Sequence, residues 1–276
     1  MTIKIKLVSP AIGAEISGVN LSLELNKSQI IQIRSALLDY GVLFFRDQVL
    51  SPSQQMKFGN YFSELLEYPF LKGLNDCPLV VPVLKRPNEI INFGGIWHSD
   101  TAYLAEPPMA TILYAKELPP CGGDTMFANM YMAFETLSGG MKNLLMQLKA
   151  INSADNQGVA DTRANRLRDS GRDISTVGMN SLHPVIRTHP ETGRKSLYVN
   201  RAHTVRFEGM TEKESSPILN YLYKHQVRDE FVCRFRWTEG AIAFWDNRCT
   251  QHYPVNDYQG FKRLLHRVTL KGCEPN

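Results

Sequence analysis

The sequence is poor in cysteine, has no long apolar run and carries no strong excess of either charge. Its five cysteines are scattered and form no C-x-x-C pair, which argues against a disulfide framework and predicts reduced thiols in the cytoplasm. No apolar stretch approaches the roughly 18 residues of a membrane span, so no membrane partner is expected. The formal net charge of +4 is too small and too dispersed to indicate nucleic-acid binding.

Nucleotide-binding signatures are also missing. No G-x-G-x-x-G follows a predicted strand and no P-loop motif occurs, so a nucleotide fold has no support. What the chain does have is an ordinary globular composition, with 43% hydrophobic and 21% charged residues. Its 276 residues are enough for one large β domain without disulfide bonds.

Helices are predicted early and in the middle of the chain, and strands dominate the second half. Predicted helices are Ser28–Tyr40 with Ser28 as N-cap, one from Pro52, two between Met130 and Leu148, and one from Thr211. Predicted strands are Ile3–Val8, Val42–Phe45, Met109–Ala115, Leu197–Asn200, Phe231–Trp237, Ala241–Trp245 and Arg263–Lys271. Because helices and strands do not alternate regularly, a β-sandwich or barrel with added helices is favoured over a doubly wound sheet.

Two segments read as loops that cover whatever pocket exists. Residues 69–95 lack clear periodicity and contain four prolines, and residues 152–178 are polar, with arginines and aspartates interleaved. Loops of this length in a compact domain are often functional lids. Both segments are therefore predicted to be lids.

A metal site is indicated by Trp97–Asp100, which contains His98 and Asp100 in an H-x-D pattern. If this segment is a strand, both side chains point into the same space and can chelate one cation. His252 closes the polar stretch that follows the strand ending at Trp245, and it is the candidate third ligand. Two imidazoles and one carboxylate leave coordination positions open, as non-haem Fe(II) oxygen chemistry requires, whereas structural zinc would need a closed set, for which Cys249 is the candidate thiolate.

An anion site is indicated by the segment Arg263–Thr269. In a strand, Arg263, Leu265, Arg267 and Thr269 share one face. Two buried arginines are costly unless each meets an anion, and the guanidinium fork suits a carboxylate. The alternative is a solvent-facing strand, but beside the metal motif a cavity holding an anionic cosubstrate is favoured.

Together these segments resemble the taurine dioxygenase/TfdA family of Fe(II)- and 2-oxoglutarate-dependent dioxygenases. The resemblance rests on Trp97–Asp100, Gly122–Thr125, Trp245–Tyr253 and the Arg263-x-x-x-Arg267 pair, with support from Leu182–Val185 and Thr211–Ser215. It spans nearly the whole chain, and the order and spacing of four motifs make it far more specific than a lone H-x-D.

The resemblance implies a single domain over 1–276 of mixed, mainly β class, with a double-stranded β-helix (jelly-roll) core and flanking α-helices. It makes His98, Asp100 and His252 the iron ligands, and it implies 2-oxoglutarate and O2 as cosubstrates. Arg263 and Thr125 would bind the distal carboxylate of 2-oxoglutarate. Relatives of this kind are commonly dimers or tetramers, so a cytoplasmic homo-oligomer is expected.

The resemblance also bears on the substrate. Arg267 matches the arginine that binds the anionic group in the taurine enzyme, which implies a small sulfonate, sulfate ester, phosphonate or carboxylate substrate. Tyr68 stands where that enzyme has a substrate-binding histidine, and His203 replaces an aromatic wall residue, so both are predicted to contact the substrate. Gln157–Gly158 falls where that enzyme has a Ser-Phe pair. These departures favour a substrate other than taurine.

Several alternatives stay open. Hydroxylation of a carbon that bears a heteroatom would lead to cleavage, and the enzyme could instead be an aryloxyalkanoate or alkyl-sulfate dioxygenase or a biosynthetic hydroxylase. A non-catalytic protein that binds metal and 2-oxoglutarate is the main alternative of another class, although a mere metal binder has no use for Arg263 and Thr125. A zinc hydrolase ranks third because H-E-x-x-H is missing.

Overall fold

The computed structural model describes residues 2–156, 160, 162 and 179–276. Most of the predicted lid 152–178, and the Gln157–Gly158 pair, lie outside these residues. The strands are β1 Lys4–Leu7, β2 Ala14–Ser17, β3 Val42–Phe45, β4 Leu65–Leu66, β5 Val81–Lys85, β6 Ala110–Glu117, β7 Thr125–Asn129, β8 Lys149–Ser153, β9 Asn180–Pro184, β10 Ile186–Thr188, β11 Lys195–Leu197, β12 Thr204–Phe207, β13 Val232–Phe235, β14 Ile242–Asp246, β15 Thr250–Pro254 and β16 Arg263–Leu270. The helices are α1 Lys27–Tyr40, α2 Pro52–Asn60, α3 Met130–Glu135, α4 Gly139–Leu145 and α5 Glu212–His225.

The longer helices begin at side chains that cap the free backbone N–H groups of their first turn. Ser51 and Thr211 each form a reciprocal capping box, as predicted for Thr211. The predicted N-cap of α1 at Ser28 is wrong, because Asn26 caps this helix and exchanges hydrogen bonds with Gln29. Ser28 lies inside the first turn, where its hydroxyl accepts instead from a side chain one turn later.

The strands form a large sheet and smaller sheets, one of which faces it. The large sheet has the order β1-β2-β3-β14-β6-β16-β4, with β5 also paired to β16, and only the β2–β3 pair is parallel. A three-stranded sheet of order β13-β7-β15 provides the opposing face. The remaining sheets are β12-β8-β9 and β10-β11, whose buried apolar residues share a separate core cluster.

Strand β3 shows why the centre of the large sheet reads as a continuous apolar run. Leu43 and Phe45 pack in the cluster under α1 and α2, and Phe44 packs toward the opposing sheet. Phe44 stacks on Phe235 with ring centroids 3.9 Å apart and meets the edge of Phe127 at 5.6 Å. Both faces of the strand are covered, so alternation is lost from its sequence. These aromatic contacts join the large sheet to the opposing sheet.

Most predicted elements are present, but several strand bounds differ and other strands were not predicted, among them β2, β7 and β15. The strand predicted at Leu197–Asn200 ends at Leu197, and the first predicted strand is shortened to Lys4–Leu7. The mainly β architecture with flanking helices agrees with the fold class expected from the sequence. Among the described residues, no helix is both long enough and apolar enough to cross a bilayer.

Helix α1 provides a test of the core. Leu37 is buried on its inner face, whereas Ile31 is 67% exposed on its outer face. Leu37→Ala should lower the free energy of unfolding by about 2–5 kcal/mol, because it removes buried contacts and leaves a cavity. Ile31→Ala should change it by less than about 0.5 kcal/mol. Urea denaturation of both variants checks this, and equal destabilisation would contradict the packing of α1.

Candidate active site

A single antiparallel backbone pair joins His98 to His252. The His98 N–H donates to the His252 carbonyl at 3.1 Å, and the His252 N–H donates back at 2.9 Å. The prediction that residues 98–100 form a strand is wrong, because the chain turns after His98 and Thr101 has a φ of 42°. Asp100 therefore reaches the side of the histidines through a turn rather than through strand alternation.

The three predicted ligands converge. Oδ1 of Asp100 lies 3.8 Å from His98 Nε2 and 4.0 Å from His252 Nε2, and all three residues are buried. Nδ1 of His98 lies 2.6 Å from the Ile96 carbonyl oxygen, so this nitrogen carries the proton and Nε2 keeps its lone pair for the site. Two nitrogens and one carboxylate oxygen on one side of the space fit a divalent cation such as Fe(II) and leave its other positions open.

The charges around Asp100 favour the forms that bind a metal. Burial alone would raise the pKa of Asp100, but the guanidinium of Arg267, the two imidazoles and a hydrogen bond from Thr111 bring it below its usual range. Nη2 of Arg267 lies 3.1 Å from Oδ1. Burial lowers the pKa of His252 well below that of a free imidazole, and the nearby His98 lowers it further. At neutral pH the site thus offers a carboxylate and a neutral imidazole.

A chamber, called here the larger chamber, opens on one side of these residues. Its lining includes His98, Leu113, Thr125, Trp245, His252, Tyr258, Arg263 and Arg267. Arg263 Nη2 donates to Thr125 Oγ1 at 3.4 Å, and Trp237 Nε1 donates to the same oxygen at 2.9 Å. A Cβ on Gly123 would lie 3.2 Å from Arg263 Cδ, so this glycine gives the arginine room. Arg263 and Thr125, separated by half the chain, could together hold a carboxylate.

The Arg263 guanidinium is buried, and its Nε has no hydrogen-bond partner among the described residues. Burial lowers its pKa from the usual value, mainly through the loss of hydration. A buried guanidinium with a free donor is costly in an empty pocket and is satisfied by an incoming anion. The donor set of the larger chamber therefore fits the distal carboxylate of 2-oxoglutarate.

A second space, called here the smaller chamber, shares lining residues with the first. Its lining includes Tyr68, Phe93, Gly94, His98, Asp100, Tyr103, His203 and Arg267. The Arg267 guanidinium carbon lies 4.6 Å from the centre of the Tyr68 ring, and the His203 ring meets Tyr103 edge-on at 4.9 Å. His203 is only 3% exposed and is therefore a buried wall residue of this chamber. Arg267 and His98 line both chambers.

The predicted lid 69–95 contributes strand β5 and a loop that lies against the chambers. Tyr258 Oη donates to Asn92 Oδ1 at 2.7 Å, and Asn92 Nδ2 donates to the Val255 carbonyl at 3.2 Å. Asn256 Nδ2 donates to the Ile90 carbonyl at 2.7 Å. Residues 90–95 are thus bound to the segment between β15 and β16, and Phe93 in this loop lines both chambers. Whether the loop acts as a lid stays a prediction.

The sequence reasoning did not connect two polar residues, Thr111 and Asn247, with Asp100. Thr111 donates to Asp100 Oδ2 at 2.6 Å, and Asn247 Nδ2 donates to Thr111 Oγ1 at 3.0 Å. The available signal was weak: Thr111 is the one small polar residue in the otherwise apolar and aromatic run Met109–Ala115. Lys85 was also missed, and it lines the larger chamber with its ammonium 4.3 Å from the Tyr258 ring centre.

A second buried cluster contains His189, Asp246 and Cys249, and its polar groups already bind one another. Nδ1 of His189 accepts backbone N–H groups, so its Nε2–H donates to Asp246 at 3.0 Å. Arg248 contacts both oxygens of Asp246, at 2.9 and 2.6 Å. Burial raises the pKa of the Cys249 thiol, which favours the neutral form. The alternative of Cys249 as a ligand beside His252 is therefore wrong, because it lies in this closed cluster.

This closed cluster generates a stability prediction. Asp246→Asn removes one of the two carboxylates that pair with the buried Arg248, the other being Glu191 at 2.8 Å, and should lower the free energy of unfolding at pH 7 by about 3 kcal/mol. Burial would raise the pKa of Asp246, but Arg248 and His189 bring it below the ordinary 3.8. Its stabilisation is therefore present above that value and lost as the pH falls below it.

The measurement is urea denaturation of wild type and Asp246→Asn at several pH values. The difference between them should be constant from about pH 7 to 5 and shrink below about pH 4. Asp76→Asn, at an exposed aspartate, is the matched control and should show no such difference. A difference that grows on acidification would contradict the assigned ion pair.

Comparison with known proteins agrees with this geometry. Residues 4–269 match the family described as taurine catabolism dioxygenase TauD, TfdA family. An alkylsulfatase of Acinetobacter baylyi is 34% identical over 98% of this chain and 85% of its own length. An alpha-ketoglutarate-dependent sulfate ester dioxygenase of Pseudomonas putida is 32% identical over 97% of this chain and 89% of its own.

The crystal structure of a taurine dioxygenase from Burkholderia xenovorans superposes with a TM-score of 0.84 at 35% identity, covering 99% of this chain and 90% of that one. The jelly-roll core predicted from the sequence is thereby confirmed, as is the family resemblance. The chain belongs to the TauD/TfdA family and is a dioxygenase that depends on Fe(II), 2-oxoglutarate and O2.

Proposed function

We propose that this dioxygenase oxidises a small sulfate ester or sulfonate, with His98, Asp100 and His252 as its iron ligands. The observation that carries the proposal is the placement of two buried arginines around these residues. Arg263 lies in the larger chamber alone, whereas Arg267 lies where the two chambers meet. One guanidinium group is thus available for the cosubstrate and another for the anionic group of the substrate.

The larger chamber is assigned to 2-oxoglutarate. Bound Fe(II) would supply the activation of O2, coupled to oxidative decarboxylation of this cosubstrate. The chain's own residues bind and orient it: the Arg263 guanidinium and the Thr125 hydroxyl hold the distal carboxylate. Trp237 supports this arrangement through its hydrogen bond to Thr125. These groups direct the keto acid end toward His98 and His252.

The smaller chamber is assigned to the primary substrate. Arg267 would bind the sulfate group of an ester or the sulfonate group of a sulfonate. Tyr68, Tyr103 and His203 would form the walls. The similarity to an alkylsulfatase and to a sulfate ester dioxygenase favours a sulfate ester. Hydroxylation of the carbon attached to the ester oxygen gives a product that falls apart into an aldehyde and sulfate. For a sulfonate, the corresponding cleavage releases sulfite.

Three further expectations belong to the proposal. The family match over residues 4–269 supports one domain over 1–276. The segments 69–95 and 152–178 are expected to act as its lids. Five free cysteines support a reducing, cytoplasmic environment. Assembly into a homodimer or homotetramer is expected because related enzymes are commonly dimers or tetramers. Analytical ultracentrifugation measures the oligomeric state directly.

Metal and cosubstrate binding is tested by adding Fe(II) and then 2-oxoglutarate to the protein without oxygen. Wild type should develop a weak charge-transfer band in the visible spectrum, because the keto acid chelates the bound metal. His98→Ala should show no band and no 2-oxoglutarate-dependent succinate formation, while its circular dichroism stays unchanged. A band of full size in His98→Ala would contradict the ligand assignment. Metal binding without a band in wild type would favour a metal-binding protein without turnover.

The two arginines should separate in their effects. Arg263→Ala should raise the dissociation constant of 2-oxoglutarate by about tenfold to a hundredfold, since a charge-assisted contact is lost. Arg267→Ala should raise the KM of the primary substrate by a similar factor and leave 2-oxoglutarate binding much less affected. Each variant is the control for the other.

The substrate screen pairs hexyl sulfate with hexanesulfonate, and adds taurine, an alkyl phosphonate and an aryloxyacetate. Succinate is measured together with sulfate or sulfite release. We expect the largest substrate-dependent succinate formation with the sulfate ester. Stimulation by the aryloxyacetate alone would reject the proposed substrate class, and equal effects of both arginine variants on both ligands would reject the division of labour.

A further inference from the structure

Three side chains form a buried line of hydrogen bonds that ends on Asp100. Trp245 Nε1 lies 2.9 Å from Asn247 Oδ1, Asn247 Nδ2 lies 3.0 Å from Thr111 Oγ1, and Thr111 Oγ1 lies 2.6 Å from Asp100 Oδ2. All four residues are at most 2% exposed. Neither Thr111 nor Asn247 is among the described residues that line the two chambers. We call Trp245, Asn247 and Thr111 the hydroxyl relay.

The direction of every bond in the hydroxyl relay follows from the indole. An indole N–H can only donate, so the atom of Asn247 beside it must be the amide oxygen. The amide nitrogen of Asn247 then faces Thr111 and can only donate to it. The Thr111 hydroxyl must accept this bond, and its single proton is left for Asp100 Oδ2. The backbone N–H of Asp100, 3.4 Å from Asn247 Oδ1, agrees with the same orientation.

The two oxygens of Asp100 are therefore not equivalent. Oδ2 accepts a short hydrogen bond from Thr111, whereas Oδ1 faces His98 Nε2, His252 Nε2 and Arg267. We propose that the hydroxyl relay is a positioning device that presents only Oδ1 to the metal and withholds Oδ2. This inference rests on the proposed role of Asp100 as an iron ligand.

The consequence concerns 2-oxoglutarate more than the metal itself. Carboxylates bind metals through one oxygen or through both. Three protein donors leave a six-coordinate metal three positions, of which the keto acid needs two and O2 one. If Oδ2 also became a ligand, it would take a position from the cosubstrate. The metal would gain a donor while Asp100 loses the hydrogen bond that orients it, so these opposing effects would change metal affinity less than cosubstrate affinity. The hydroxyl relay thus makes Thr111 and Asn247 positioning residues for cosubstrate binding.

Thr111→Val tests this, because valine keeps the shape of the side chain and removes the hydroxyl. Metal affinity is measured from the electron paramagnetic resonance signal of free Mn(II), and 2-oxoglutarate affinity from the anaerobic Fe(II) charge-transfer band. We expect the dissociation constant of 2-oxoglutarate to rise by about tenfold or more, the size typical of lost outer contacts to a ligand. The Mn(II) constant should change by less than about tenfold, below the usual effect of a lost outer contact, because the released Oδ2 adds a donor to the metal.

Conservative and control variants separate positioning from loosening of the fold. Thr111→Ser restores a hydroxyl and should return 2-oxoglutarate binding toward that of wild type. Thr204→Val removes another buried hydroxyl, one that donates to Asn152 Oδ1 at 2.7 Å, and should leave both constants unchanged. Asn247→Asp replaces the donor facing Thr111 by an acceptor, which draws the hydroxyl proton away from Asp100. It should reproduce the effect of Thr111→Val and is measured in its place if that variant does not fold.

Each other outcome overturns the inference. Parallel weakening of Mn(II) and 2-oxoglutarate binding would mean that Thr111 only stabilises the site as a whole. Unchanged 2-oxoglutarate binding in Thr111→Val would mean that Oδ2 is not withheld by the hydroxyl relay. Failure of the proposed function is distinguishable, because it would appear in wild type as a missing charge-transfer band.

Discussion

The backbone pair between His98 and His252 is the contact on which the candidate site depends. It attaches the end of a long loop to β15 and brings together two imidazoles from opposite halves of the chain. His98 depends on this pair for its position, since its segment belongs to no regular strand, whereas His252 is held by β15. Asp100 then follows through a turn. A pair of backbone hydrogen bonds, which does not depend on side-chain identity, thus helps to bring the three candidate ligands together.

Buried carboxylates occur in two kinds of environment in this protein. One is fully paired by neighbouring side chains and is structural, and the other leaves polar contacts incomplete at the candidate active site. Around Asp246, the guanidinium of Arg248 and the Nε2–H of His189 satisfy the carboxylate, and nothing is left for a ligand. Around Asp100, by contrast, the carboxylate oxygen that contacts Arg267 at 3.1 Å also faces two imidazoles across 3.8–4.0 Å, too far for hydrogen bonds. Arg263 likewise keeps a buried donor unused. Unfinished polar contacts of this kind cost stability and are expected where a ligand completes them.

The anion-binding strand shows how far local pattern reasoning reaches. Arg263, Leu265, Arg267 and Thr269 lie on one buried face of β16, as period-two alternation predicts. The same reasoning failed at His98 and Asp100, because a turn, and not strand alternation, places both side chains at the site. It also placed the cap of α1 at Ser28, although Asn26 is the residue that forms the capping box. Alternation is reliable inside a long, paired strand and misleading in a loop that touches a sheet at one residue.

By itself the sequence determined the apolar strands β3 and β14, the capped helices, the candidate ligands and the two arginines, because these follow from local periodicity, capping chemistry and motif spacing. It could not determine that Arg267 lines both chambers and Arg263 only the larger one, that Cys249 belongs to a closed cluster, or that Thr111 contacts Asp100. Those facts depend on contacts between residues far apart in the chain, such as Thr111 with Asn247. Only the tertiary structure decides them, since the register between strands sets which polar atoms face each other.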